Sequence, residues 1–180
     1  PFQDYDYRSH FILKGDNIVK MDEKIMKQCA DTYQTLPTRG CPYGCTYCIN
    51  EALLKMYPHQ KPLRKRSVNN LIMELREVKS NLPFIEIIMF SDDAFLLLSL
   101  DEIKEFSKRY KEEVGLPLWV TGTTPNTLTK EKLSLLVDAG LVEMRMGIQT
   151  MAADAKKLYK RPHSNRQVAN AVKMVNEHRD

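Results

Sequence analysis

"FIEIIMFSDDAFLLLSLDEIKEFSKRYKEEVGLPLWVTG", residues 84–122, sets two apolar runs on either side of one amphipathic segment. "FIEIIMF" is almost continuously apolar, as a strand covered on both faces requires. "SLDEIKEFSKRYKEEVG" opens with a Ser-x-x-Glu capping box, Ser99 to Glu102, and closes on Gly115, the start and stop marks of a helix. "LPLWVTG" then reads as the next strand. A strand, a helix and a strand in that order make a parallel pair joined by a right-handed crossover.

The same rhythm runs outward in both directions. Upstream, "SVNNLIMELREVKS" places Val68, Leu71, Ile72, Leu75 and Val78 three and four apart, with Ser67 as its cap, so it is an amphipathic helix. Ahead of it "TYQTLPT" is a short extended run. Downstream, "LTKEKLSLLVDAG" is a helix capped by Thr129 and closed by Gly140, "LVEMRMGIQ" is a fourth strand, and a last helix begins near Asn165. The predicted fold class is therefore α/β: a partial parallel (βα) barrel with four βα units. A closed barrel of this kind takes eight strands, and a last strand without a neighbour leaves an edge, so the natural protein is expected to continue past Asp180. Residues 1–34 are polar and weakly periodic, and read as a lead-in from a preceding domain. "KMDEKIMKQCA" within it fits a short helix or an irregular strand equally. The domain reading is thus a linker over 1–34 and barrel over 35–180.

Strand alternation assigns faces. In the fourth strand Val142, Met144, Met146 and Ile148 share one side, and Glu143, Arg145, Gly147 and Gln149 the other. A polar inner face implies a wet or ligand-filled interior, unless the strand is a solvated edge. Met144 and Met146 are expected to face the helices. In the second strand Glu86, Ile88, Phe90 and Asp92 read as the inward set. The strand ends in Ser91-Asp92-Asp93, and the C-terminal tips of barrel strands are where such folds build active sites. Trp119 reads as core or barrel wall.

Composition narrows the class. The 180 residues are 43% hydrophobic and 28% charged, ordinary for a globular chain, and the net charge of +4 gives nucleic acid little help. No apolar run approaches a membrane span. The sequence starts at Pro1 with no secretory signal, which suggests a piece of something longer. Clustered thiols without a signal point to a reducing cytoplasm.

Three of the four cysteines fall in "RGCPYGCTYCIN", residues 39–50. Cys41, Cys45 and Cys48 have the spacing C-x3-C-x2-C in the loop after the first strand. Structural zinc wants four ligands, usually as two separated pairs; Cys29 or His59 is available as a fourth. Disulfide pairing leaves one thiol over. A [4Fe-4S] cluster held by three thiols keeps one iron without a protein ligand, where ordinary electron carriers have four cysteines. Cys29 otherwise reads as a small buried apolar residue. His10, His59, His163 and His178 are scattered and expected mostly at the surface.

"CPYGCTYC", with Tyr47 just before its last cysteine, resembles the cluster loop of the radical S-adenosylmethionine (radical SAM) superfamily. The likeness covers residues from about 35 to the end. It implies a partial barrel of six βα units, of which four are present here. It also implies that SAM chelates the open iron and that one electron cleaves its sulfonium bond. The resulting 5′-deoxyadenosyl radical would abstract a hydrogen atom from substrate. On the same likeness Cys41, Cys45 and Cys48 ligate the cluster, with Pro42 and Gly44 letting the loop wrap it and Gly44 free to take positive φ. Tyr47 lies near the adenine. Ser91-Asp92-Asp93 stands where the family commonly has a glycine-glycine-glutamate that holds the SAM amino group; inward parity favours Asp92 over Asp93. Thr121 or Thr123 approaches the methionine carboxylate or ribose. Gln149 takes the same polar role, Arg145 pairs with the carboxylate, and Gly147 admits the ligand closely. Arg66 and Arg161 are candidate contacts to a cofactor or substrate.

A narrower set of motifs, "RKRS", "FSDDAF", "LPLWVTGTTP", "MGIQTM" and "YKRP", resembles the cobalamin-binding branch. That implies a cobalamin domain ahead of Pro1, with "PFQDYDYRSHFI" as the linker, and methyl transfer from methylcobalamin as the reaction. The implied partners are an electron donor such as flavodoxin or ferredoxin and a small-molecule or peptide substrate. Two alternatives stay open. A tRNA-modifying methylthiotransferase-like enzyme usually carries further cysteines, and only Cys29 is spare. A non-catalytic module would use zinc or a conventional cluster as a staple.

Overall fold

The computed structural model describes residues 6–178, without the side chain of Cys29. The expected burial of Cys29 and the first five residues of the lead-in lie outside the described residues. Four parallel strands form the sheet, in the order β3 (Thr32–Thr35), β6 (Ile87–Phe90), β7 (Leu118–Thr123) and β8 (Leu141–Met146). Helices α3 (Val68–Asn81), α4 (Leu100–Glu113) and α5 (Lys130–Asp138) make the crossovers, and α7 (Asn165–Asn176) follows the last strand. This is the partial barrel of four βα units that the rhythm predicts.

The caps fall where local chemistry puts them. Ser67, Ser99 and Thr129 each accept a backbone N–H of the first helical turn, and Ser99 and Glu102 close the capping box from both sides. Such a cap contributes about 1 kcal/mol. The helices bury Leu71, Ile72, Leu75 and Val78 from α3 and Ile103, Phe106 and Tyr110 from α4 against Ile88 and Phe90 of β6 and Leu118 and Val120 of β7. Phe90 meets Phe95 and Phe106 with ring centroids 5.1 and 5.5 Å apart, a geometry aromatic edges and faces favour.

That packing reverses one face assignment. Ile88 and Phe90 are fully buried beneath the helices, so they form the outer face of β6 and Met89 belongs to the inner one. The cause is hydrophobic: the largest apolar side chains go to the helix layer, where area can be removed from water. For β8 the alternation holds, with Met144 and Met146 packed on the core, although Val142 on the same side stays exposed. Cross-strand register sets Met89 beside Trp119 and Trp119 beside Glu143, so Trp119 is half-buried wall on the inner face.

Several short elements escape the periodicity. The lead-in holds a hairpin, β1 (Phe11–Lys14) with β2 (Asn17–Lys20), and a helix α1 (Glu23–Cys29), so "KMDEKIMKQCA" resolves as helix. Strand β3 begins at Thr32, ahead of residue 35. After it, β4 (Thr38–Arg39) and β5 (Arg64–Lys65) form a two-residue antiparallel ribbon that brackets α2 (Ile49–Met56). Helix α6 (Ala153–Tyr159) buries no residue, so no apolar stripe announces it.

Candidate metal centre

The cysteine loop leaves β4 and runs into α2, with Cys48 as the residue before the first helical turn. Gly40 takes φ +82° just ahead of Cys41, where a Cβ would overlap the Pro62 carbonyl. Gly44, by contrast, is not among the glycines of positive φ. The turn into the loop is therefore made before the first thiol and not between the first two.

Each of the other three strand ends supplies a hold on this loop. After β6, the Asp92 carboxylate accepts from Thr38 N at 2.5 Å, Thr38 Oγ1 at 2.6 Å and Ala94 N at 2.7 Å. After β7, Asn126 Nδ2 donates to the Tyr43 hydroxyl at 2.8 Å. After β8, Arg161 Nη1 donates to Cys45 Sγ at 3.4 Å and to the Tyr47 hydroxyl at 2.9 Å, while its Nη2 donates to Gly147 O at 2.6 Å. The α6 end adds Thr46 N to Tyr159 O at 3.3 Å and Thr46 Oγ1 to Leu158 O at 3.0 Å. Tyr47 also meets Tyr159 edge to face, 5.3 Å between centroids.

Cys45 is buried, and Cys41 and Cys48 are half-buried. Burial raises the Cys41 thiol, and the neighbouring charges of Cys45, Asp93 and Cys48 raise it further. Among the described residues no group of three or more His, Cys, Asp or Glu is arranged to hold a metal ion. Structural zinc takes four ligands, whereas a [4Fe-4S] cluster takes each thiolate on a different iron. A clamped loop bearing three thiols fits the larger group.

The two aspartates part company. Asp92 is 3% exposed and committed to the loop base. Burial holds its carboxyl above the ordinary 3.8, against the lowering effect of the Thr38 and Ala94 hydrogen bonds. The parity that favoured Asp92 as a ligand contact fails because its strand presents Ile88 and Phe90 to the helices. Asp93 is exposed and shares a cavity of about 430 Å³ with Cys41, Arg39, Arg64 and Tyr57.

The remaining candidates sort by contact. Arg66 is tied into a network at the back of β3: its Nη2 pairs with Glu74 Oε2 at 2.8 Å, and Nη1 donates to Thr35 Oγ1 at 3.2 Å. It therefore braces α3 against β3. Thr123 is buried and donates to Arg145 O at 3.0 Å, and Thr121 donates to Phe90 O at 2.9 Å. Arg145 pairs with Glu143 at 2.6 Å on the inner face. Gln149 adopts φ +58°, unusual for a residue with a side chain, and folds that side chain over Gly147. Tyr47 is half exposed, and burial nonetheless raises its hydroxyl, with Arg161 opposing. His163 is buried, unlike exposed His10 and His59. Sequence reasoning passed over Tyr43 and Asn126, because a tyrosine in a loop and an asparagine after a proline carry no signal without their contact.

Comparison with known proteins bears on the whole arrangement. The radical SAM superfamily matches residues 35–179. Among solved structures, the radical SAM methyltransferase TsrM from Kitasatospora setae, with cobalamin and a [4Fe-4S] cluster bound, is 18% identical with a TM-score of 0.69. That likeness covers 88% of this chain and 31% of TsrM. The cobalamin-dependent radical enzyme OxsB is 18% identical, TM-score 0.61, over 81% of this chain and 22% of its own. Methylornithine synthase PylB is 12% identical, TM-score 0.59, over 81% of this chain and 41% of its own. At such identities these likenesses establish the fold, and this chain spans less than half of each. No curated protein matches it. With the family matched over the region that builds the barrel and its cysteine loop, the chain belongs to the radical SAM superfamily, enzymes that use a [4Fe-4S] cluster and S-adenosylmethionine.

Proposed function

We propose that this chain is the cluster-bearing part of a radical SAM enzyme whose whole protein performs cobalamin-dependent methyl transfer. The carrying observation is the grip on the cysteine loop from three separate strand ends, through Asp92, Asn126 and Arg161. A loop of free thiols would not need that order; a loop that must hold three thiolates at fixed separations does. Cys41, Cys45 and Cys48 would ligate the cluster. A cluster held by these thiolates would supply the one-electron reducing chemistry by which the superfamily uses SAM.

The chain's own residues set where SAM lies. Asp93, exposed on the cavity beside Cys41, would be the carboxylate that accepts from the SAM ammonium. Tyr47 offers a ring face at the loop's far end, while Gly147 and Gln149 shape the rim beyond β8. Thr121 gives its proton to Phe90 O, so toward SAM it would act as an acceptor. Arg145 reaches a SAM carboxylate only by leaving Glu143.

The cobalamin assignment rests on the motifs from "RKRS" to "YKRP" and on fold likeness to TsrM, solved with cobalamin bound, and to the cobalamin-dependent OxsB. In this reading the residues ahead of β3 link a cobalamin domain to the barrel, an electron donor of the flavodoxin or ferredoxin kind feeds the cluster, and the substrate is a small molecule or peptide in the cytoplasm. No helix among the described residues is long and apolar enough to cross a membrane. The test is anaerobic isolation of the full-length protein. About four irons per chain, a cluster signal altered by SAM, and a methylated product formed only with cobalamin support the reading. A colourless zinc protein overturns it.

A further inference from the structure

Arg161 touches three things at once. Its guanidinium donates to Cys45 Sγ, to the Tyr47 hydroxyl and to the carbonyl of Gly147 at the end of β8. Its Nε is buried with no acceptor among the described residues, so a further hydrogen bond remains to be given. Cys45 is the most buried of the three loop thiols, at 5% exposure. Charge beside a buried sulfur acts through a lower dielectric than charge at the surface. An N–H donated to a ligand sulfur is one of the levers that sets a cluster's potential.

We propose that Arg161 is a positioning residue with two separable effects, resting on the reading of the loop as a cluster site. Its positive charge beside Cys45 stabilises the reduced cluster, which carries one electron more, and so raises the midpoint potential. Its planar fork ties the loop to β8, so that the thiolate at Cys45 and the ligand rim at Gly147 hold one relative placement. Lysine would keep the charge and lose the fork, since an ammonium is a point donor and cannot span three acceptors in fixed directions. Glutamine would lose both.

The experiment uses the full-length protein with its cluster reconstituted without oxygen, as wild type, Arg161→Lys and Arg161→Gln. Potentiometric titration followed by electron paramagnetic resonance reads the midpoint, and iron loss to a chelator reads how firmly the loop holds. Arg161→Gln is expected to shift the midpoint to a more negative value and to lose iron about tenfold faster, the usual scale for a lost outer-shell partner. Arg161→Lys is expected to keep the wild-type midpoint while losing iron as fast as the glutamine variant. A glutamine variant with wild-type midpoint overturns the charge effect, and a lysine variant as chelator-resistant as wild type overturns the fork. Melting curves are read alongside; should Arg161→Gln fail to fold, Arg161→Met, neutral and of similar length, takes its place for the charge effect while the lysine variant decides the fork. A wild-type protein that takes up no cluster overturns the cluster reading and this inference together, whereas a loaded wild type with unmoved variants overturns the inference alone.

Discussion

Gly122→Ala is a sharp test of how the barrel delivers Asp92 and Asp93. Gly122 sits at the irregularity in the β7–β8 register, with φ +67°. A Cβ there would overlap the Asp92 carbonyl oxygen and lie 2.6 Å from its carbon and 2.9 Å from the Asp93 Cα. Those atoms are backbone, so no side chain can rotate to make room. Left-handed backbone costs alanine about 1–2 kcal/mol, and forcing an extra carbon into filled space costs about 1–3 more. The expected loss is about 2–5 kcal/mol, a fall in melting temperature of roughly 5–20 °C for a domain of this size. Gly115→Ala is the control. It shares the positive φ, +64°, but its nearest atom, Lys111 O, is 3.4 Å from the added carbon. Thermal melts of both variants in the full-length protein separate backbone strain from overlap. Equal losses in the two would refute the claim that β7 approaches the Asp92 backbone this closely. The displaced aspartates should also weaken SAM binding in Gly122→Ala and leave it unchanged in Gly115→Ala.

Cys45→Ser should abolish cluster loading, read as iron per chain, while the far-ultraviolet circular dichroism stays that of the wild type, because the core beneath α3 and α4 does not include the loop. Asp92→Asn should destabilise by about 1–3 kcal/mol in a melt, since three donors lose a charged acceptor. Asp93→Asn should leave the melt alone and weaken SAM binding about tenfold by calorimetry, the scale of a charge-assisted hydrogen bond; a swap of these two outcomes would reverse their roles. For Glu74, burial pushes the carboxyl up but the Arg66 and Thr35 hydrogen bonds outweigh it, holding the group below its usual 4.5. Its stabilisation is therefore present above pH 4.5 and lost as pH falls through the lowered folded value. Glu74→Gln should flatten that part of the stability–pH curve, as denaturant titrations on either side of pH 4.5 would show.

What the order of residues determined was whatever repeats over a few positions. The three- and four-residue spacing of α3, the Ser99–Glu102 box of α4 and the cysteine spacing of the loop are local patterns with local causes. They were enough for the parallel sheet and for the thiols. Elements without a buried stripe, such as α6, or of only two residues, such as β4 and β5, leave too few positions for a period to register.

The partners of the site residues depended on the packed fold. Thr38 and Asp92 are 54 positions apart, and Cys45 and Arg161 are 116 apart. Which side of β6 faces the helices decided whether Asp92 or Asp93 stands beside Cys41, and that depended on where Phe90 finds its aromatic neighbours. Likewise Arg66 and Arg161 read alike along the chain, each a basic candidate for a cofactor or substrate contact. Glu74 on α3 claims one for the barrel wall, and the end of α6 delivers the other to the thiols. A side chain's type is written in the sequence. The group it meets is set by strand register and helix packing, which arise from the burial of the whole apolar surface together.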